Sequence, residues 1–331
     1  MVTIREVAKK AGVSIGTVSR YLNGHQLKKE NMVNVKNAIE LLGFKENIIA
    51  KGLKNNRSHS VGVLINSLTD VFATSIVSDL ENYLEENNYS LLLGDYQNDY
   101  RRLEKKLEFL RSRSVDGIVV FHLEENLPIL SRLREEGVTI VAVDSPIKGF
   151  KSDTVLVDNY QASFNAVDKL YENGHSNIGI IAGKTDRYIG SERFRGYEES
   201  MKIKGIFSKK LVVNGDYTKE AGYIGALKLL ENREVTAIYS TNYYMTLGVV
   251  QALFEKKVKI PEDISIIGFD HFELSDIIEP KLTVIEQPIK EMGIKIGELI
   301  LERIKDKKQA QTTTVEINTR LLWRSSVKKI N

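Results

Sequence analysis

The chain has 331 residues, 42% of them hydrophobic, a net charge of +3 and no cysteine. That length allows two or three domains. The missing thiol excludes disulfides, thiolate nucleophiles and cysteine-based zinc sites, and 5 scattered histidines without an HExxH spacing leave neither a metal nor a cofactor expected.

No apolar run reaches the roughly 18 residues of a membrane span, and MVTIREVAKK at the N-terminus lacks the apolar core of a signal peptide, so a cytoplasmic protein without a membrane partner is expected. Charge is unevenly placed. Residues 1–60 carry 11 Lys and Arg against 4 Asp and Glu, whereas residues 61–331 carry 36 against 40. A basic head on a mildly acidic body points to a polyanion, nucleic acid before membrane, although a basic solvated surface gives the same count.

The head reads as three short helices. Thr3 and Glu6 have capping-box spacing, and Ile4, Val7, Ala8 and Ala11 follow at helical intervals. Gly12 turns the chain, and Ser14 caps a second helix with Val18, Tyr21 and Leu22 inward and Asn23-Gly24 at its end. Val35, Ala38, Ile39 and Leu42 form the stripe of a third helix, which Gly43 stops. The stretch 45–60, KENIIAKGLKNNRSHS, has linker composition, yet Ile48, Ile49 and Leu53 fall at helical spacing, so order only on binding is expected.

From Ser60 onward apolar strands alternate with helical stretches: VGVLI, SLLL, GIVVF and VTIVAV, then, after TVLVD, IGIIAG, LVV, VTAIYS and ISIIGF. Two successive series predict an α/β body of two doubly wound parallel sheets, with a ligand beyond the carboxyl ends of their strands.

A helix, a glycine turn and a second helix with Ile15, Gly16, Thr17, Ser19 and Arg20 outward have the layout of a helix-turn-helix. Arg20 suits guanine, Ile15 a thymine methyl, and Gly16 lets the backbone approach. Thr3, Ser14, Thr17, Asn23 and His25 suit phosphates. A packed surface helix is the other reading of that spacing. "TIREVAKKAGVSIGTVSRYLNG" at 3–24, "FKENIIAKGL" at 44–53, "GYEES" after Arg193 and "PEDISIIGFDHFELS" at 261–275 resemble, in order and spacing, the lactose-repressor (LacI/GalR) family of bacterial transcription regulators.

That resemblance implies a homodimer on a pseudo-palindromic operator, with paired hinge helices in the minor groove and Leu53 as the wedge. It implies a helix-turn-helix head at 1–45, a hinge helix or linker at 46–59, and a periplasmic-binding-protein-like body. The body's N-terminal lobe takes 60–158 with 289–318 and its C-terminal lobe 159–288 with 319–331. Departures lie at Glu46, where the family usually has Pro, at Lys51 in place of Arg, and at Asn31-Met32 in place of Thr-Arg; the acid of Glu46 near phosphates is expected to weaken hinge docking unless Lys45 or Lys51 offsets it.

Matched to the family's cleft, Phe72, Asp144, Arg193, Tyr217, Asn242, Asp270 and Gln287 are the candidate effector residues. Aromatic faces, a guanidinium fork and bidentate acceptors suit a polyol. For Asp144 and Asp270 helix capping is an alternative, for Phe72 and Tyr217 core packing, for Arg193 a surface ion pair, and for Gln287 a cap on the helix begun by Pro288. Tyr243 stands where the family commonly has Asp, with Lys184 and Arg187 in the neighbouring loop. A sugar or sugar derivative is expected as the effector, with acidic or phosphorylated forms favoured by that departure, in a regulator that represses a carbohydrate-utilisation operon. A purine or nucleoside effector, or a stand-alone sugar-binding protein, is the alternative. An enzyme is not expected: "GIIAGKT" at 179–185 is one residue short of a phosphate-binding loop, and neither a GxGxxG motif nor a catalytic triad is present.

Overall fold

A computed structural model describes residues 2–22, 24–44, 57–306 and 311–330. The chain divides into two compact units, Met1–Ser58 and His59–Asn331.

The smaller unit packs α1 (Ile4–Ala11), α2 (Ile15–Leu22) and α3 (Lys29–Leu42) around Val7, Ala8, Ala11, Val18, Val35 and Ala38. The predicted capping box is present: the Thr3 hydroxyl receives the Glu6 N–H while the Glu6 carboxylate receives the Thr3 N–H at 2.7 Å. Gly12 and Gly43 end α1 and α3 in the left-handed conformation, at φ 70° and 58°.

The larger unit holds two six-stranded sheets. In the first, β1 (Ser60–Ile65), β2 (Ser90–Asp95), β3 (Gly117–Phe121), β4 (Thr139–Val143), β5 (Asp153–Val157) and β11 (Thr314–Ile317) run parallel in the order β11-β5-β4-β3-β1-β2. Alternation along β1 decides the layering. Val61, Val63 and Ile65 pack with α4 (Val71–Glu86) and α11 (Ile289–Lys305), whereas Leu64 packs on the other face with α5 (Tyr100–Ser112) and α6 (Pro128–Glu135). Helices α4 and α11 approach closely at Gly293, where a Cβ would lie 2.9 Å from the Ile76 carbonyl oxygen.

The second sheet contains β6 (Ile178–Ala182), β7 (Val212–Asn214), β8 (Ala237–Ser240), β9 (Ser265–Phe269), β10 (Thr283–Glu286) and β12 (Arg320–Leu322), ordered β12-β10-β9-β8-β6-β7, with only the β10–β12 pair antiparallel. It packs with two helix pairs, α7 (Asn159–Glu172) with α8 (Tyr188–Ile203) and α9 (Lys219–Glu231) with α10 (Tyr243–Glu255).

The chain passes between sheets after β5, after β10 and after β11. The first and third passages are tied together, since Asp158 accepts the Thr319 N–H at 2.8 Å. Arg303 of α11 grips Asp153 at the start of β5 with two bonds of 2.7 and 2.9 Å, both residues being buried. The same carboxylate accepts the Thr313 N–H, which fixes the approach to β11. No helix among the described residues is long and apolar enough to cross a membrane.

Candidate DNA-binding and effector sites

In the head, Val18 anchors α2 inward, which leaves Gly16 and Arg20 exposed, Ile15 46% exposed and Thr17 half-buried. Ser14 caps the helix by accepting the Thr17 N–H at 3.1 Å, and the two hydroxyls lie 2.9 Å apart. The Thr3 hydroxyl likewise donates to Glu6 at 2.9 Å, and these bonds hold the Glu6 carboxyl below its usual range. Thr3, Ser14 and Thr17 thus first serve their own helices. His25 is exposed. Asn23, Glu46, Lys51 and Leu53 lie outside the described residues.

Gly16 is the informative position. A Cβ there would meet only the Ser14 hydroxyl, at an ordinary 3.7 Å. The head's own packing therefore does not require glycine, although glycine inside a helix costs about 1 kcal/mol relative to alanine.

In the body, the carboxyl ends of β8, β9 and β10 and the N-terminal turn of α4 line a cavity of about 450 Å³. Of the candidate effector residues, Phe72, Asn242, Asp270 and Gln287 line it; Asp144, Arg193 and Tyr217 do not. Phe72 is the second residue of α4, held by the Asp70 cap, whose carboxylate accepts the Phe72 and Ala73 N–H groups. Asn242 caps α10 through the Met245 N–H at 2.9 Å. Asp270 accepts the Tyr243 N–H with one oxygen and the Gln287 amide, at 2.6 Å, with the other. It does cap a helix, α10, which precedes it in the chain. Gln287 does not cap the helix after Pro288; its own oxygen is buried without a partner.

Arg193 is not a surface ion pair. It is buried, bonds Asn159 and the Thr241 carbonyl at 2.7 Å each, and stacks 3.4 Å above the centre of the Phe269 ring. Two of its three nitrogens are thereby committed to the protein. Asp144 is 2% exposed, lies 3.2 Å from His122 Nδ1 and keeps one oxygen without a partner; desolvation raises its pKa. Tyr217 packs against Gly183, where a Cβ would fall 2.1 Å from its ring, and burial pushes its unpartnered hydroxyl up to about 12. Asp144, Tyr217 and Asp270 all carry left-handed backbone, at φ 69°, 72° and 77°.

The charge expectation is corrected. Lys184 is exposed, Arg187 donates to the Tyr100 hydroxyl at 2.9 Å, and neither lines the cavity. Asp70, Asp270 and Glu286 do line it, and among the described residues no Lys or Arg does. Sequence reasoning also missed Asp70, His122, Tyr244, His271 and Phe272. His122 follows β3 as Asp144 follows β4, so a survey of every residue just past a strand would have found it.

Residues 3–47 match the family described as bacterial regulatory proteins, lacI family, and residues 167–327 match the periplasmic binding protein-like domain. The chain is similar to the HTH-type transcriptional repressor PurR of Actinobacillus pleuropneumoniae serotype 3 (strain JL03), 32% identical over 335 residues and 100% of both chains. Among solved structures it is similar to a transcriptional regulator CelR–cellobiose complex, with a TM-score of 0.74, 28% identity and coverage of 98% of this chain and 100% of that one. The lac repressor dimer bound to operator and the anti-inducer ONPF superposes at a TM-score of 0.86 over 99% of each chain; at 22% identity that likeness concerns the fold.

Proposed function

This chain belongs to the LacI family of bacterial regulatory proteins, and we propose that it acts as a cytoplasmic homodimer repressing transcription from a pseudo-palindromic operator, under control of a small molecule held between its lobes. The observation that carries this reading is one chain holding both a helix with an unfilled polar face and a cavity of about 450 Å³ lined by the carboxyl ends of β8, β9 and β10 and the N-terminal turn of α4. Arg20, Ile15 and Gly16 would meet base edges; Thr3, Ser14, Thr17, Asn23 and His25 would meet phosphates, and Lys51 and Leu53 would act in the hinge. The two lobes correspond to 60–158 with 289–318 and 159–288 with 319–331. We assign binding, not catalysis.

For the effector, the purine-repressor name of the full-length relative supports a purine base or nucleoside. Aromatic side chains of Phe72, Tyr243, Tyr244 and Phe272 at the cavity suit a flat ring. A neutral sugar is the second reading, favoured by the cellobiose held by the similar regulator. The sugar acid or phosphate is dropped, because Lys184 is exposed and Arg187, engaged by Tyr100 across the cleft, does not line the cavity. Gel retardation on genomic fragments, with and without purines and neutral sugars, tests the proposal. Full-length protein should retard specific fragments in a ligand-sensitive way, and residues 59–331 alone should retard none; retention by the headless body would overturn it.

A further inference from the structure

The cavity presents an open acceptor. Among the described residues, the buried unpartnered side-chain atoms near strand ends include three acceptors, Asn66 Oδ1 after β1, Asp144 Oδ1 after β4 and Gln287 Oε1 after β10, beside two hydroxyls that can donate or accept, Ser240 Oγ at the end of β8 and Tyr217 Oη after β7; of these only Gln287 lines the cavity. The orientation of Gln287 is fixed by chemistry. Its nitrogen donates to Asp270, and a flipped amide would set two oxygens against each other. Gln287 is 7% exposed and lines the cavity, so its oxygen waits for a donor from whatever fills it.

The field has the same sign. Asp70, Asp270 and Glu286 line the cavity. The nearby basic side chains are already engaged. Arg193 is held by Asn159 and Thr241, and Arg320 pairs with Glu286 at 2.8 Å from a side chain 73% exposed. His271 sits between Asp276 at 2.9 Å and Glu286 at 3.5 Å, and His122 between Asp144 at 3.2 Å and Asp70 at 3.9 Å. An anionic group entering here would meet carboxylates at short range with no free cation among the described residues lining the cavity to receive it. A protonated amine would meet carboxylates and the aromatic faces of Phe72 and Tyr244.

We infer that the effector presents N–H or O–H donors, is neutral or amine-bearing, and carries no anionic group: a base or nucleoside and not a nucleotide, or a neutral or amino sugar and not its phosphate. This rests on the reading of the cleft as the effector site, and Asp70 is the residue that sets the charge preference. Asp70→Asn keeps the oxygen that caps α4 while removing one charge from the cavity wall.

The test is calorimetric titration of the full-length protein with two matched series: adenine, adenosine and adenosine 5′-monophosphate; glucose, glucosamine and glucose 6-phosphate. In the series that binds, the phosphate should be weaker than its uncharged parent by about tenfold or more, and Asp70→Asn should narrow that ratio by about threefold. A phosphate as tight as its parent overturns the inference, as does a failure of every neutral and amine-bearing compound to bind, or a ratio that Asp70→Asn leaves unchanged. The regulator reading fails separately. A neutral ligand that binds in the expected order without altering operator retention contradicts that reading and leaves the charge ranking intact.

Discussion

The buried carboxylate of Glu124, in the loop after β3, accepts the backbone N–H of Tyr188, the first residue of α8 in the opposite lobe, at 2.9 Å. Arg187 stands at the N-cap of that helix and supplies no capping side chain of its own. One lobe therefore caps a helix of the other, where the helix dipole favours a negative charge. Two further bonds cross the cleft, from Arg187 to the Tyr100 hydroxyl at 2.9 Å and from the Tyr244 hydroxyl to the Thr69 carbonyl at 2.8 Å.

Closure should depend on that cap. Glu124→Ala removes about 1–2 kcal/mol from the closed form, whereas Glu124→Gln keeps an acceptor and should lie between. With no native cysteine, spin labels at Ser112→Cys and Lys256→Cys, on exposed sites of the two lobes, report the separation directly. The alanine variant should show a longer, broader distance distribution; an unchanged one counts against the role of the cap.

Gly16→Ala should separate folding from recognition. The added methyl makes only an ordinary contact within the head, so the variant should unfold no sooner and gain up to about 1 kcal/mol from helix propensity. Operator affinity should nevertheless fall several-fold if the backbone of α2 lies close to DNA. Thermal unfolding and gel retardation on the same preparation check both halves.

Arg193→Ala should damage the fold as well as the cleft. The buried Asn159 oxygen and Thr241 carbonyl lose their donor, at about 1–3 kcal/mol or more for a charged partner. The body should melt earlier than wild type, and Arg193→Lys should recover only part of the loss because a point charge cannot reproduce the stacked fork. Equal melting of the alanine variant and wild type would contradict this.

His175 should give the body an acid-sensitive step. It is fully buried, bonded to Thr236 at 2.9 Å and to the Lys328 carbonyl at 3.1 Å, and desolvation lowers its pKa from 6.5. Below pH 6.5 the unfolded chain takes up a proton that the folded one resists, so this contribution to stability is whole above that pH and is lost as pH falls toward the depressed folded value. Urea unfolding from pH 7.5 to 5 should show the slope, and His175→Gln should flatten it.

The head and the strand alternation were legible because each rests on a local pattern: the Thr3/Glu6 box, the αL glycines and runs such as IGIIAG. Strands β10, β11 and β12 were not, since TVIE, TVEI and RLL are three or four residues long and owe their pairing to distant partners. Side-chain direction was the other gap. Nothing local says that Arg187 reaches for Tyr100 and not for the cavity, so the basic loop expected beside the ligand does not line it. Arg193 was named as a cleft residue, but it does not line the cavity, and its commitment to Asn159 and Thr241 depends on residues 34 and 48 positions away.

Asp144, Tyr217 and Asp270 hold backbone angles that glycine adopts freely and other residues adopt at a cost. Glycine would relieve that cost, but at Tyr217 it would leave a cavity beside Gly183, and at Asp270 it would strip the Tyr243 N–H and the Gln287 amide of their acceptor, losses larger than the relief. A laboratory selection for heat resistance alone would therefore keep the strained backbone, and anyone evolving this protein into a robust sensor has to find the added stability elsewhere in the chain.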